Sequence, residues 1–199
     1  GEANSVKILQ LLKETSNKYD IEIIVATAGK TTEISAATNK LIGKVEAIFI
    51  SNDNNALAAF GVIAKIALAN KTPVFVSDTD MVGRGALAGL GPNQYELGKQ
   101  TGKMLAQILR GKAIKDLPVE FPQKIELVLN KKIAQELGIN FSKEILQDKQ
   151  HFRHHVLPNT KIRSLHLSVF RKVVKQTKHP SDCPCNNIEQ FLHLPANCA

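Results

Sequence analysis

The sequence predicts an α/β protein with a doubly wound, mostly parallel sheet. Apolar helical patterns and short strand-like runs alternate over the first 150 of the 199 residues, and the connections between them are short. The run VEAIFI at 45–50 is nearly continuous in apolar residues, as in parallel strands that are buried on both faces. Alternation of this kind is typical of an open sheet with helices on both sides.

Local signals define the elements and their ends. Ser5 can cap the first helix, because its hydroxyl can accept a hydrogen bond from a free amide of the first turn. Thr31 and Thr32 can cap the second helix, and Gly43 and Gly138 can each end a helix in the left-handed conformation. The predicted elements are helix 5–20, strand 21–26, helix 31–43, strand 45–50, helix 56–70, strand 74–77, strand 86–90, helix 94–110, strand 125–129 and helix 131–137.

The helix over 94–110 has the clearest amphipathic pattern, with apolar residues at helical spacing. We expect one face of it to point into the core. The residues of that face are Leu97, Met104, Leu105, Ile108 and Leu109.

Charge and composition divide the chain near residue 150. Residues 1–150 carry a net charge of +3, whereas residues 151–199 carry +5 and contain all 6 His and all 3 Cys. The total of +8 therefore does not describe the folded part, and we expect no nucleic-acid partner there. No run of about 18 apolar residues and no leader sequence occur, so we expect neither a membrane-spanning helix nor an export signal in these 199 residues.

The sequence of residues 1–150 shows little sign of a catalytic site. The absence of His and Cys from this part excludes a histidine base, a thiolate nucleophile and a His-based metal site. No spacing of Asp or Glu singles out an acid–base pair, and no phosphate-binding loop is present in the correct context. We expect no catalytic residue, no metal and no cofactor.

Polar loops at the predicted carboxyl ends of strands are the candidate ligand site, because ligands bind there in open α/β sheets. One loop follows strand 45–50, a second follows strand 74–77, and a third lies at the start of the first helix. Ordinary capping and turn chemistry is the alternative explanation for each loop. The candidate ligand-binding residues are Asn4, Ser5, Asn52, Asp53, Asn54, Asp78, Thr79 and Asp80.

Several separated strings together resemble one known family, the tryptophan/tyrosine-type substrate-binding proteins of bacterial ABC transporters. The resemblance runs in order from residue 1 to about residue 150. The strings are GEANSV, GKVEAIFISNDNNALAA, TPVFVSDTDMVGRGALAGLGPNQYELGKQTGKML and LPVEFPQKIELVLNKKIAQELGI.

The resemblance implies a type I periplasmic-binding-protein fold, in which a solute lies between two lobes that close by a hinge. Residues 1–91 match the second lobe, and a helix in 92–117 would cross to a first lobe that we expect to be missing. The implied ligand is an amino acid, with Asp78 or Asp80 at its ammonium group and the Ser/Asn loops at its carboxylate. The family works outside the cytoplasmic membrane with an ABC permease, and we expect a truncated chain with impaired transport function.

Residues 151–199 do not resemble the family. Cys183 and Cys185, with His179 and His193, could bind zinc, although their spacing fits no common zinc pattern. Residues 165–174 could form a basic amphipathic helix. The favoured interpretation is a basic extension, unrelated to the fold and without a packed core.

Two further functions remain open. Asp78 or Asp80 could serve a small α/β enzyme that acts on a polar substrate. Alternatively, the chain is a non-functional remnant whose basic tail binds a partner. The leading interpretation is a non-enzymatic solute-binding module.

Overall fold

The computed structural model describes residues 2–143 and 145–146. The strands are β1 (Ile48–Ile50), β2 (Val74–Val76), β3 (Ala88–Pro92) and β4 (Ile125–Leu129). The α-helices are α1 (Ala3–Ser16), α2 (Ile34–Leu41), α3 (Asn54–Ala58), α4 (Phe60–Ala69), α5 (Gln94–Leu109) and α6 (Lys131–Leu137). Short 3-10 helices cover Asn17–Tyr19, Thr31–Glu33, Thr79–Arg84 and Ile114–Asp116. The zinc, basic-helix and unpacked-tail expectations for 151–199 lie outside the described residues.

One open sheet contains the four strands in the order β1-β2-β3-β4. The first three are parallel, with Ile48 opposite Val74 in the first pair and Phe75 opposite Ala88 in the second. β4 runs antiparallel to β3 and pairs at its second residue with Gly91. The predicted α/β class with a mostly parallel sheet is confirmed.

Apolar layers cover both faces of this sheet. Successive side chains of a strand point to opposite faces, and in β2 Val74 and Val76 join one buried cluster whereas Phe75 joins another. α4 contributes the fully buried Phe60 to the first cluster, and α6 contributes Ala134 to the second. Helices therefore lie on both sides of the sheet, as the term doubly wound requires.

The predicted strand over 21–26 is wrong. These residues have no regular secondary structure, and no strand in the described part of the chain pairs with them. Ile24 and Val25 remain 43% and 44% exposed. A β-branched run favours extended backbone, but a strand also needs a neighbour that completes its hydrogen-bond ladder. The local pattern cannot supply that neighbour.

The predicted helix caps are wrong at two N-termini and confirmed at two C-termini. Ser5 lies inside α1, whose N-cap position belongs to Glu2. Thr31 and Thr32 lie within the 3-10 helix that precedes α2, so neither caps it. The C-terminal glycines, Gly43 and Gly138, adopt positive φ values of 76° and 73° as expected.

α5 does not turn its apolar face into the core, which corrects the prediction for this helix. None of its residues is buried, and Leu105 and Leu109 are 54% and 79% exposed. The apolar pattern identifies a face that favours contact, but not the structure that would cover it. Within the described ranges, no helix has the length and apolar character needed to span a lipid bilayer.

Candidate functional site

Three polar loops meet where β1 and β2 end. Because β1 and β2 are adjacent and parallel, the segments after them, 51–55 and 77–80, leave the sheet at the same edge. The first turn of α1 joins them through hydrogen bonds to residues 52–54. We call the group formed by Asn4, Ser5, Asn52, Asp53, Ser77 and Asp78 the strand-end site.

Asn52 connects all three loops. Its backbone carbonyl accepts a hydrogen bond from Asn4 Nδ2 at 2.9 Å, and its side-chain Oδ1 accepts one from the Ser77 hydroxyl at 2.7 Å. Among the described residues, no hydrogen bond uses the side-chain Nδ2 of Asn52, which is on an exposed residue. The amide can therefore offer two N–H donors to a solute while its oxygen holds the site together.

Asp53 is already engaged within the protein. Its Oδ1 accepts the Ala56 backbone N–H at 3.1 Å and so caps α3, while its Oδ2 accepts the Ser5 hydroxyl at 3.0 Å. An aspartate at this position suits both tasks, because an ionised carboxylate has several acceptor sites. The sequence alone suggested a solute contact, whereas the geometry gives Asp53 a clear organising role.

The second half of the loop after β1 is held by the start of α1 and by the segment that precedes α2. Glu2 Oε1 accepts the backbone N–H of Asn54 at 3.2 Å. Asn55 donates from Nδ2 to the Gly29 carbonyl at 3.3 Å and accepts the Thr31 hydroxyl at its Oδ1, also at 3.3 Å. The exposed Asn54 side chain has no hydrogen bond in the described part of the chain.

The three residues after Ser77 differ in orientation. Asp78 is the N-cap of the following 3-10 helix, and its Oδ1 accepts the Asp80 backbone N–H at 3.0 Å. Asp80 is exposed, and within the described residues its carboxylate forms neither a hydrogen bond nor an ion pair. Thr79 is only 6% exposed and directs its hydroxyl to Glu126, away from the other loops. Asp78 and Asp80 are thus the residues of this loop with acceptor oxygens available to a solute.

Two glycines in β3 allow the second loop to lie directly on the sheet. A Cβ at Gly91 would overlap the backbone carbonyl oxygen of Ser77. A Cβ at Gly89 would lie 2.8 Å from Val82 Cγ2 and 3.2 Å from Thr79 Cα. The two positions are two apart in the strand and so share one of its faces. This bare face of β3 is the surface on which the 77–82 segment rests.

Two surface grooves lie away from the strand-end site. One, of about 460 Å³, lies between α4, the 83–85 segment and α6. The other, of about 390 Å³, lies between α5 and the 120–124 segment. In the described part of the chain, no cluster of His, Cys, Asp and Glu has a geometry suited to a metal ion.

The sequence prediction did not include Glu2 and Ser77. A signal for Ser77 was present, because this residue directly follows β2, as Ser51 and Asn52 follow β1. Glu2 begins the polar loop predicted at the start of the first helix but is absent from the candidate residues, and its partner Asn54 lies 52 residues away in the chain.

Comparison with known proteins gives a consistent set of similarities. The family model for the ABC transporter substrate binding protein matches residues 1–152. The tyrosine-binding protein of Clostridioides difficile (strain R20291) is 27% identical to this chain over 139 residues. A crystal structure of a conserved domain protein from Vibrio cholerae shares the fold with a TM-score of 0.70 and 37% identity. The ABC domain in complex with L-Trp from Streptococcus pneumonia has the same TM-score and 33% identity.

The matched region is only part of each of these proteins. It covers 70% of this chain but 40% of the tyrosine-binding protein. For each of the two solved structures it covers 74% of this chain and 50% of the other. The chain therefore spans about half the length of the proteins that it matches.

Proposed function

The chain belongs to the ABC transporter substrate-binding protein family, and we propose that residues 1–150 form the second-lobe portion of an amino-acid-binding protein, with the helix in 92–117 crossing to the first lobe. In this proposal the strand-end site binds the polar end of the solute. The observation that supports it most strongly is the convergence of three polar loops on Asn52 at the carboxyl edge of β1 and β2.

The free donors and acceptors of the strand-end site, together with those of the adjoining Asn54 and Asp80, suit a zwitterion. We assign the ammonium group to Asp78 or Asp80, whose carboxylate oxygens include acceptors that no other described residue uses. We assign the carboxylate to the amide and hydroxyl groups of the other two loops, where the Asn52 and Asn54 side chains keep donors available. In this proposal Asp53 and Ser5 organise the loops, and Thr79 supports the second loop from behind.

An aromatic amino acid is the proposed solute. Support comes from two similar proteins, one named as tyrosine-binding and one crystallised with L-Trp. The described strand-end site itself consists of polar residues, so an aromatic ring would need a further apolar wall.

We propose that the first lobe supplies this wall and that α5 leads toward it. The support is that α5 has no buried residue and that the exposed apolar side chains continue along the segment that follows. Ile114, Val119 and Phe121 are 72%, 90% and 66% exposed. Such a run of exposed apolar residues favours contact with another surface. It agrees with the 92–117 crossing and the second-lobe assignment that the family resemblance implies.

The proposed role is binding without turnover, in partnership with an ABC permease and outside the cytoplasmic membrane. Support for the binding role is the family membership and the use of Asp53 and Asp78 as helix caps. The enzyme alternative predicts turnover of an amino-acid-like compound that depends on Asp78 or Asp80. Incubation with L-Trp, L-Tyr and L-Phe followed by mass spectrometry would detect any such product.

The binding proposal is tested with three related probes: L-Trp, tryptamine, which lacks the carboxylate, and indole-3-propionate, which lacks the ammonium group. Titrations are followed by NMR chemical shifts and by calorimetry. We expect weak L-Trp binding, because a single wall buries only part of the solute. Submicromolar L-Trp affinity would contradict the one-lobe proposal.

Substitutions test which residues contact the ammonium end and which contact the carboxylate end of the solute. Asp78→Asn and Asp80→Asn together should weaken L-Trp and tryptamine but not indole-3-propionate. Asn52→Ala should weaken L-Trp and indole-3-propionate more than tryptamine. Asp116→Asn is the matched control, since Asp116 is an exposed carboxylate in a distant 3-10 helix. Equal loss of all three probes in every variant would contradict the assignment of the two ends.

A further inference from the structure

Glu126 contacts two parts of the molecule that are distant in the sequence. Its Oε1 accepts the Thr79 hydroxyl at 3.5 Å, and its Oε2 accepts Asn93 Nδ2 at 3.0 Å. Thr79 belongs to the loop after β2, whereas Asn93 is the N-cap of α5, with its Oδ1 accepting the Glu96 backbone N–H at 2.9 Å. One half-buried carboxylate thus contacts both the 78–80 loop and the start of α5.

Both contacts of Glu126 are held in place by the sheet. Glu126 lies in β4 directly opposite Gly91 of β3, on the face where the 77–82 segment rests. The Asn93 backbone N–H donates to the Lys124 carbonyl at 3.0 Å, which fixes the start of α5 beside β4. Thr79 is almost fully buried against this face. A shift of either contact group must therefore displace the carboxylate or break a hydrogen bond.

The attachment of Glu126 depends on these two neutral donors. In the part of the chain that the structure describes, no Lys or Arg forms an ion pair with it. Hydrogen bonds to an ionised acceptor are stronger than those between neutral groups. Removal of a donor from a partly buried carboxylate therefore costs more free energy than removal of a donor from a neutral acceptor. Removal of one donor should therefore change how firmly the other is held.

We propose that Glu126 is a positioning residue that couples the position of the 78–80 loop to the orientation of the first turn of α5. A change at Asp78 or Asp80 would reach α5 through Thr79, Glu126 and Asn93. The consequence for solute binding rests on the proposed function, in which the 78–80 loop contacts the solute and α5 leads to the first lobe. The coupling itself requires only the described contacts.

Amide hydrogen exchange of the full chain, resolved by NMR, tests the coupling without any ligand. The Glu96 amide reports on the first turn of α5, because it donates to Asn93 Oδ1. The Asp80 amide reports on the loop, because it donates to Asp78 Oδ1. The amide of the fully buried Leu87, which donates to the Val74 carbonyl at 2.8 Å, reports global opening. Each local rate is divided by the Leu87 rate, so that a general loss of stability does not count as coupling.

The decisive variant is Thr79→Val, which removes the hydroxyl at nearly constant volume. We expect the Glu96 ratio to rise roughly fivefold to tenfold, as expected for the weakening of about one hydrogen bond. Thr72→Val is the control, because Thr72 is similarly buried, at 7% exposure, but bonds to the Asn70 carbonyl. The control should leave the Glu96 ratio unchanged.

The reverse direction is tested at Asn93 and at Glu126 itself. Asn93→Asp keeps an oxygen that can accept the Glu96 N–H but places a second carboxylate beside that of Glu126. Because the two carboxylates repel each other, this variant should raise the Asp80 ratio. Glu126→Ala should raise both ratios. Glu126→Gln should restore values within about twofold of the original, because its amide can accept from Asn93 and donate to the Thr79 oxygen.

The outcomes separate this inference from the proposed function. If Thr79→Val leaves the Glu96 ratio within twofold of the original, the coupling is overturned, whatever L-Trp does. If the coupling is present but L-Trp changes no amide of the original chain, the inference stands and the amino-acid proposal fails. If L-Trp binds, it should slow exchange at Glu96 in the original chain and have little effect there in Glu126→Ala.

Discussion

The hydroxyl of Ser5 lies 3.0 Å from Asp53 Oδ2, although 48 residues separate the two in the chain. This hydrogen bond joins the first turn of α1 to the loop that follows β1. The other oxygen of the same carboxylate caps α3. Asp53 therefore stabilises a helix start and a tertiary contact at once, at the centre of the strand-end site.

Replacement of Ser5 by alanine removes only the tertiary contact. We expect the free energy of unfolding to fall by ~0.5–1.5 kcal/mol, the net value of one hydrogen bond. Urea unfolding followed by circular dichroism measures it, with Ser35→Ala on the exposed face of α2 as the control. Equal effects of the two substitutions would show that the Ser5 contact does not stabilise the fold.

Asp53→Ala removes both contacts of the carboxylate and should be the more damaging change. Loss of an N-cap costs about 0.5–2 kcal/mol, to which the loss of the Ser5 contact is added. The double variant Ser5→Ala/Asp53→Ala should be less stable than Asp53→Ala alone by at most a few tenths of a kcal/mol, because the hydrogen-bond partner of Ser5 is already absent. Full additivity in the same urea experiment would contradict the contact.

Gly91→Ala tests the close approach of the 77–82 segment to β3. The new methyl group would overlap the Ser77 carbonyl oxygen, and a backbone atom cannot rotate away as a side chain can. We expect destabilisation of at least ~2 kcal/mol, in the range of severe overpacking, or loss of folding. Gly98→Ala is the matched control: this position in α5 has no neighbour near a Cβ, and alanine should stabilise the helix by up to ~1 kcal/mol. Similar melting temperatures of Gly91→Ala and Gly98→Ala would contradict the close contact between the 77–82 segment and β3.

Because the apolar face of α5 is exposed, replacement of one of its apolar residues by a polar residue should leave the stability of the fold almost unchanged. Leu109→Gln should change the free energy of unfolding by no more than ~0.5 kcal/mol, as for other surface positions. It should also reduce binding of a dye that fluoresces on apolar surfaces. Leu87→Ala, at a fully buried position, should cost about 2–5 kcal/mol and serves as the comparison. A large loss of stability in Leu109→Gln would show that this face is covered.

Sequence patterns predicted the elements whose partners are close in the chain. β1, β2 and β3 are neighbours in the sheet in the same order as in the sequence, so their apolar runs and the intervening helices were sufficient. The apolar stripe of α5 and the β-branched run at 21–26 each show a preference for a neighbour but do not identify one. Both predictions failed where the outcome depended on that neighbour.

The candidate site shows the same limit. The positions of Asn52 and Asp78 could be predicted, because parallel strands end at one edge of a sheet. Their hydrogen-bond partners could not, since Asn4 and Ser77 reach Asn52 from 48 and 25 residues away. The inward orientation of Thr79 depends on Glu126, 47 residues further on, and no local pattern encodes it.

The docking of α1 on the loop after β1 also has a consequence for the order of folding. Ser16 is the only buried residue that this helix contributes within the described chain, and the start of the helix is held by contacts that span about 50 residues. Contacts of long sequence separation require the closure of a long loop, whereas the β1-β2-β3 unit forms from sequential crossovers. We therefore expect α1 to join after the rate-limiting step, with φ-values near zero for Ser5→Ala and values well above zero for truncations in β2.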